Sequence, residues 1–224
     1  MAAAPFRLFG PDHWAALAAV GCVGALLCGA ARRGPGLARA IRFALAALLL
    51  LLIALTLLLV ARERPLTVWD FLPLELCDAA VFLAVFALLT LRPAACELLW
   101  FWAGGATLLA MITPDLAWGA PDWGFYSFFA LHGSVVIAAA VGPLGLGIRP
   151  RRGAPWRALI ATNAYAAVVA AVDLAFEQNF LYLRAKPAAW TILDWLGPWP
   201  FYLLACEILA AALFALLYLP FRDR

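Results

Sequence analysis

Apolar residues are gathered into seven long stretches, separated by short turns that carry most of the arginine and proline. A helix that crosses about 30 Å of hydrocarbon needs roughly 20 mostly apolar residues. Runs of this length satisfy their backbone in lipid only as helices. The pattern therefore predicts an all-α polytopic membrane helix bundle that forms a single integral membrane domain. Its transmembrane helices are expected at about residues 14–31, 41–61, 69–91, 95–112, 124–148, 156–176 and 198–219 of the domain at 1–224.

Basic residues differ between the two sides of this bundle. Threading the seven spans puts eleven Arg on the side of the C-terminal tail and five Arg or Lys on the other side. Because cytoplasmic loops are enriched in Lys and Arg, we expect the N-terminus outside and the C-terminus in the cytoplasm. Lysine is nearly absent while arginine and alanine abound, which favours a bacterial inner membrane.

Composition supports the membrane class. Hydrophobic residues make up 67% of the chain and charged residues 13%, whereas a soluble domain is about 45–50% apolar and about 25% charged. The net charge of +3 follows from the loop arginines, so we interpret it as topology and expect no nucleic-acid partner.

Ionisable side chains inside a membrane span are costly and suggest function. In this chain they are Glu75, Asp78, His132, Asp173 and Glu207. Counted from the outer ends at 1.5 Å per residue, Cys77 and His132 both lie about 12 Å deep, and the acids lie close to that layer. We therefore expect these polar groups to converge in the outer half of the membrane. Glu97 is expected near the cytoplasmic end of its span, where it reaches water.

A thiol and an imidazole at one depth suit nucleophilic catalysis. Cys77 becomes a competent nucleophile once His132 takes its proton. The electrophile available at that depth is the acyl ester of a phospholipid. Attack gives a thioester, and the acyl group then passes to water or to a lysophospholipid. The sequence therefore predicts a phospholipid acyltransferase or a lipase-like enzyme, with membrane lipids as its partners.

Other residues are expected to support this pair. The Phe residues on the helix of His132 provide an apolar shell, which keeps the imidazole neutral and holds an acyl chain; they include Phe128 and Phe129. Three acids are candidates to orient the imidazole, as the acid of a catalytic triad does; in descending order they are Asp78, Asp173 and Glu207.

Two other classes of function fit the same residues. Buried carboxylates also suit a proton- or cation-coupled small-solute transporter. A cysteine in a membrane helix is most often a small packing residue, which suits a non-catalytic scaffold. A zinc hydrolase is disfavoured because the chain has two histidines, and its five cysteines form no CxxC pair. We expect no metal and no cofactor, while the oligomeric state is not specified.

Four segments carry a resemblance to a known family. They are Leu72–Asp78, Ser127–Gly133, Asn179–Pro187 and Leu193–Pro200. The chain thereby resembles the YwaF-like integral membrane proteins of bacteria, which are similar to the eukaryotic transmembrane acyltransferase that remodels ether phospholipids. The resemblance implies a seven-helix-like domain in which Cys77 and His132 form an acyl-transfer pair. Position Glu75 departs from the family pattern, where histidine is frequent.

The segment before the last span supplies candidate headgroup contacts. Asn179 and Trp199 are expected at the outer ends of the last two spans, above the polar layer. Arg184 or Lys186 is placed to meet a phosphate. The Pro-Trp-Pro element around Trp199 is rigid enough for a lid, and a structural turn that sets the angle of the last helix is the alternative.

Overall fold

The fold is a bundle of α-helices, seen in a computed structural model that describes residues 4–187 and 192–222. No strand occurs among these residues, and seven helical spans are long and apolar enough to cross a membrane. The predicted all-α, seven-span membrane bundle is confirmed. The helices are α1 Pro11–Ala31, α2 Pro35–Glu63, α3 Leu76–Thr90, α4 Pro93–Trp102, α5 Leu108–Ile112, α6 Trp123–Ala140, α7 Ala154–Phe176 and α8 Phe201–Tyr218.

Prolines set several helix starts. Pro11, Pro35 and Pro93 each occupy the first turn of a helix, where a missing N–H costs nothing and a fixed φ is already helical. The predicted starts at 14, 41 and 95 are therefore a few residues late, because they were placed at the first apolar run. The last helix begins later than predicted, at Phe201, directly after Pro200.

The third span is broken, whereas the sequence predicted one helix over 69–91. A short 3-10 turn covers Val68–Phe71, and α3 begins only at Leu76. Pro73 accounts for the break, since the residue before a proline is pushed to an extended conformation; Leu72 has φ −93° and ψ 125°. The interrupted backbone is tied to α7 by the Tyr165 hydroxyl, which donates to the Pro73 carbonyl at 2.5 Å.

The fourth and fifth spans each contain a π-helical turn, at Ala103–Thr107 between α4 and α5 and at Val141–Gly145 after α6. The first π turn allows close approach of α8. A Cβ added at Gly104 would lie 2.9 Å from Leu217. Such turns occur frequently at functional sites.

Helix α6 is the centre of the bundle and packs against α1, α2, α3, α4 and α5, while α7 packs against α4 and α8. The α1–α6 contact is close at Gly133, where an added Cβ would lie 2.5 Å from a methyl of Val20. His13 anchors the start of α1: its Nε2 donates to the Met111 carbonyl at 2.8 Å, because Nδ1 already accepts from the Phe9 amide. His13 thus joins the start of α1 to the end of α5.

Candidate functional site

Cys77 lies in the first turn of α3, as the second residue after the break in the third span. Its half-buried side chain lines a small cavity of about 10 Å³. The sequence counted its depth along a continuous helix from Trp69, and that count is wrong because the helix starts at Leu76. The cavity is lined by Cys77, Asp78, Val81, Thr107, Leu131, His132 and Val135. The structure therefore brings the predicted thiol and imidazole to the same cavity.

His132 is held by its own helix. Its ring stacks on the Phe128 ring, with 4.0 Å between centroids and 25° between planes. Nδ1 lies 2.9 Å from the Phe128 carbonyl oxygen. Since a carbonyl only accepts, Nδ1 carries the hydrogen, and in the neutral ring Nε2 keeps its lone pair. The side chain is half-buried, so the free nitrogen suits a proton acceptor.

The two phenylalanines predicted to contact substrate have different positions. Phe128 stacks on His132 beside the cavity. Phe129 is buried with Met111 and Phe125, packs near the ring of His13, and lies edge-on to Phe128 with 5.3 Å between ring centroids. Phe129 therefore adjoins the shell of His132 through Phe128, while its other side packs towards α1.

The three acids predicted to orient His132 lie at different places in the bundle. Asp78 lines the cavity of Cys77 and His132. Asp173 is fully buried on α7, and its Oδ1 accepts from the Phe180 amide at 3.0 Å. Glu207 on α8 accepts from the amide of Asn163 at 2.7 Å. Of the three, only Asp78 lines the same cavity as the imidazole, and the hydrogen bond of the imidazole goes to the Phe128 carbonyl.

An open groove adjoins the small cavity. It has a volume of about 310 Å³, runs between α2 and the broken third span, and shares Asp78, Val81 and Leu131 with the cavity. Its walls are mainly apolar and include Ile53, Leu57, Val60, Phe71, Leu72 and Phe82. One lining residue, Asp70, forms an ion pair with Arg64, and this hydrogen bond raises the pKa of the Arg64 guanidinium, which stays charged. The groove connects lipid-exposed helix faces with the neighbourhood of Cys77.

The predicted headgroup residues Asn179, Arg184 and Trp199 use their polar groups within the loop that joins α7 to α8. The Asn179 side-chain oxygen accepts from the amides of Arg184 and Ala185, at 2.9 and 3.1 Å. The Arg184 guanidinium donates to the carbonyls of Asp173 and Gln178. These contacts support the alternative of a structural turn for Asn179 and Arg184.

Trp199 also holds this loop, because its indole N–H donates to the Leu183 carbonyl at 3.0 Å. Tyr182 is tied by its carbonyl to the Tyr202 hydroxyl, and burial raises the pKa of its own hydroxyl. The loop reaches the start of α3 through the Leu181 amide, which lies 3.4 Å from a carboxylate oxygen of Glu75. The loop therefore packs over the end of the bundle that contains Cys77.

Thr107 was not identified from the sequence. It ends the π turn and lines the cavity of Cys77 and His132, and its buried hydroxyl lies within reach of the Cys77 thiol without forming a hydrogen bond of regular geometry. Because buried polar groups are nearly always paired, the thiol is the partner to which this hydroxyl is closest to bonding. The Gly104-Gly105 pair within an apolar span was the signal that could have drawn attention to this turn.

Glu97 differs from its prediction of reaching water. Its side chain is 5% exposed and accepts hydrogen bonds from Arg151 and Arg157, with shortest distances of 2.6 and 3.0 Å. The hydrogen bond to Glu97 raises the pKa of Arg151. Within residues 4–187 and 192–222, no group of three or more His, Cys, Asp or Glu side chains is arranged to hold a metal ion.

Comparison with known proteins identifies a family for this chain. The family model described as the TMEM164 family matches residues 8–218, which is nearly the whole chain. No curated protein and no solved structure matches the chain.

Proposed function

The chain belongs to the TMEM164 family of transmembrane proteins, and we propose that it is a thiol-dependent enzyme that transfers acyl groups on phospholipids. Cys77 is the nucleophile and His132 the general base. The observation that carries this proposal is the shared cavity, in which a thiol and an imidazole with a free Nε2 lie together with Asp78. A Cys–His pair of this kind is a common activated nucleophile.

The proposed reaction has two steps, the acylation of Cys77 and the transfer of the acyl group to an acceptor. The sulfur of Cys77 attacks the ester carbonyl of a phospholipid while its proton moves to Nε2 of His132. The tetrahedral intermediate collapses, the C–O bond breaks, and the lysophospholipid leaves with the proton from His132. A lysophospholipid hydroxyl or a water then attacks the thioester carbonyl and gives its proton to His132. The C–S bond breaks, the new ester or the free fatty acid leaves, and His132 returns the proton to the sulfur of Cys77. Asp78 stabilises the imidazolium that forms between these proton transfers.

Backbone amides at the start of α3 fit the negative oxygen of the intermediate. Amides in the first turn of a helix have no intrahelical acceptor. Those of Cys77 and Asp78 donate no hydrogen bond to any described residue. The positive end of the helix dipole favours an anion at the same place. We therefore assign the oxyanion to this turn.

The apolar groove between α2 and α3 is the proposed path for the acyl chain. It opens on faces that meet lipid and ends beside Asp78 and Leu131 at the cavity. A phospholipid can thus enter sideways from the bilayer, with its ester near Cys77. With the N-terminus outside, as the arginine distribution favours, this is the outer leaflet of the cell membrane, which we take to be a bacterial inner membrane.

The test is acyl exchange in proteoliposomes that contain the purified protein, an isotope-labelled phospholipid and an unlabelled lysophospholipid. We expect wild-type protein to produce labelled acyl transfer, and Cys77→Ala and His132→Gln to lower it by about 100-fold or more. The matched control is Cys206→Ala, because Cys206 is a half-buried cysteine on α8 that does not line the cavity.

The intermediate gives a second readout. Intact-protein mass spectrometry should find an acyl adduct that hydroxylamine removes and that Cys77→Ala abolishes. Equal rates of acyl exchange by wild type and Cys77→Ala would refute the proposal that the protein is a thiol-dependent enzyme. A transporter is the better interpretation if Cys77→Ala is active in solute uptake while Asp173→Asn or Glu207→Gln is not.

A further inference from the structure

A second cavity lies at the opposite end of the bundle, where α7 begins and α8 ends. It has a volume of about 700 Å³. Because successive spans run in opposite directions, the start of α7 and the start of α3 are at different ends of the bundle. This cavity is therefore separate from the site of Cys77, and the proposed function does not use it.

The rim of this cavity is cationic. Arg151, Arg152 and Arg222 all line it. Arg151 is fixed by the buried carboxylate of Glu97. Arg152 is exposed, and neither its guanidinium nor that of Arg222 forms an ion pair with any residue the structure describes. Two of the three charges thus line the cavity without an ion pair to a described residue.

The backbone beneath the rim is fixed. The Arg157 guanidinium donates to the carbonyl of Arg152 at 2.9 Å while it also binds Glu97. The turn that presents Arg152 is thereby braced from two sides, and α7 starts directly after it at Ala154. Because guanidinium groups form charge-assisted hydrogen bonds with phosphate, arginines on a turn with a fixed backbone are suited to bind a phosphate group.

Below the rim the walls become apolar. Trp156 and Leu159 of α7 face Ala211 and Ala215 of α8, and the small alanines leave a slot between the helices. One helical turn deeper, Asn163 and Glu207 close the slot with their hydrogen bond. From Trp156 to Asn163 the slot is about 10 Å long at 1.5 Å per residue.

We propose that this cavity binds an anionic phospholipid, with the phosphate between Arg152 and Arg222 and the upper part of an acyl chain in the slot. Cationic groups at the edge of a membrane span together with an apolar slot complement the two parts of such a lipid. A free anion would leave the apolar slot unfilled, and a zwitterionic lipid would bring its own cation close to the arginines and so bind them more weakly than a lipid with a net negative charge. The bound lipid joins the turn before α7 to the end of α8.

The test is native mass spectrometry of the full-length protein in detergent, titrated with phosphatidylglycerol or with phosphatidylcholine. We expect tighter binding of phosphatidylglycerol, weakened by about fivefold for each arginine replaced in Arg152→Gln and Arg222→Gln, since each charge near a membrane surface contributes about that factor. The matched control is the pair Arg33→Gln and Arg39→Gln, two exposed arginines at the same end of the bundle that do not line the cavity.

A second pair of variants tests the slot. Ala215→Phe fills it, whereas Ala212→Phe adds the same bulk at an exposed position of α8 outside the cavity. We expect only Ala215→Phe to weaken phosphatidylglycerol binding. The proposal is overturned if replacing the control arginines weakens phosphatidylglycerol binding as much, or if the two phenylalanine substitutions weaken it equally. It is also overturned if inorganic phosphate displaces bound phosphatidylglycerol as well as added phosphatidylglycerol does. Acyl exchange is measured separately, so the two proposals can fail independently.

Discussion

Glu97→Gln is the substitution whose cost follows most directly from the structure. The Glu97 Oε2 atom accepts from Arg151 Nη2 at 3.1 Å and from Arg157 Nε and Nη2 at 3.3 and 3.0 Å. Glutamine keeps one acceptor oxygen but places an NH₂ group where Oε2 stood. Three attractive contacts therefore become contacts between donors.

The cost is smaller than that of a wholly buried ion pair. Breaking such a pair costs about 3–5 kcal/mol, but the Arg151 and Arg157 side chains are 55% and 46% exposed and regain water. We expect a loss of about 2 kcal/mol. For a chain of this length that corresponds to a fall in Tm of about 4–8 °C.

The assay is thermal unfolding of purified protein in detergent, with Glu177→Gln as the control. Glu177 is exposed and forms no salt bridge with a described residue, so the same chemical change should leave Tm within about 1 °C. If Glu97→Gln melts together with wild type and the control, the buried carboxylate does not hold the turn before α7, and the reasoning is wrong.

Three further substitutions test other contacts by the same melting assay. Gly133→Ala should cost about 1–3 kcal/mol, because the added methyl overlaps α1, whereas Gly29→Ala, which meets nothing within 4 Å, should be neutral or stabilising; equal effects would refute the close contact. Tyr165→Phe should cost about 1 kcal/mol through loss of the bond to the Pro73 carbonyl, and no change in Tm would argue against that bond. Thr107→Val should change Tm little, because the buried hydroxyl forms no hydrogen bond of regular geometry and only approaches the weakly bonding Cys77 thiol; a clear fall would show that the contact with the thiol stabilises the fold.

The number and approximate position of the spans could be predicted from the sequence, because length and apolarity are local properties that lipid imposes on each helix. The break at residues 72–75 could not be placed by hydropathy, because an apolar segment has the same hydropathy whether its helix is continuous or interrupted. Pro73 was the local signal for the break, but it lies within a longer apolar stretch that otherwise predicts one continuous helix. The π turn at Ala103–Thr107 contacts Leu217 of α8, more than 100 residues away in sequence, so a local pattern could not show it.

The candidate site was predictable in part. Counting residues brought Cys77 and His132 to one region, although the count for Cys77 assumed helix where the chain is extended. The environment of Glu97 was missed because its partners lie 54 and 60 residues away in sequence. The partner of Glu207 was missed for the same reason, because Asn163 lies 44 residues away. The partner of Asp173, the Phe180 amide, is only seven residues away, but it depends on the turn that follows α7. Residue type indicates which groups need a partner, whereas tertiary packing decides which partner they find. The catalytic roles stay predictions.

The late start of α3 has a consequence for solvent. The fifteen residues of α3 rise about 22 Å, less than the roughly 30 Å of hydrocarbon, so the extended backbone at residues 72–75 lies at membrane depth. Such backbone is tolerated only against protein or against a hydrated cleft, and Phe71 and Leu72 are exposed. We therefore expect the cleft beside Phe71 and Leu72 to admit water as well as lipid close to Cys77. On the proposed mechanism, the thioester would be divided between hydrolysis and transfer to a lysophospholipid, and the ratio of free fatty acid to transferred acyl chain would measure how far an entering lipid excludes water from the cleft.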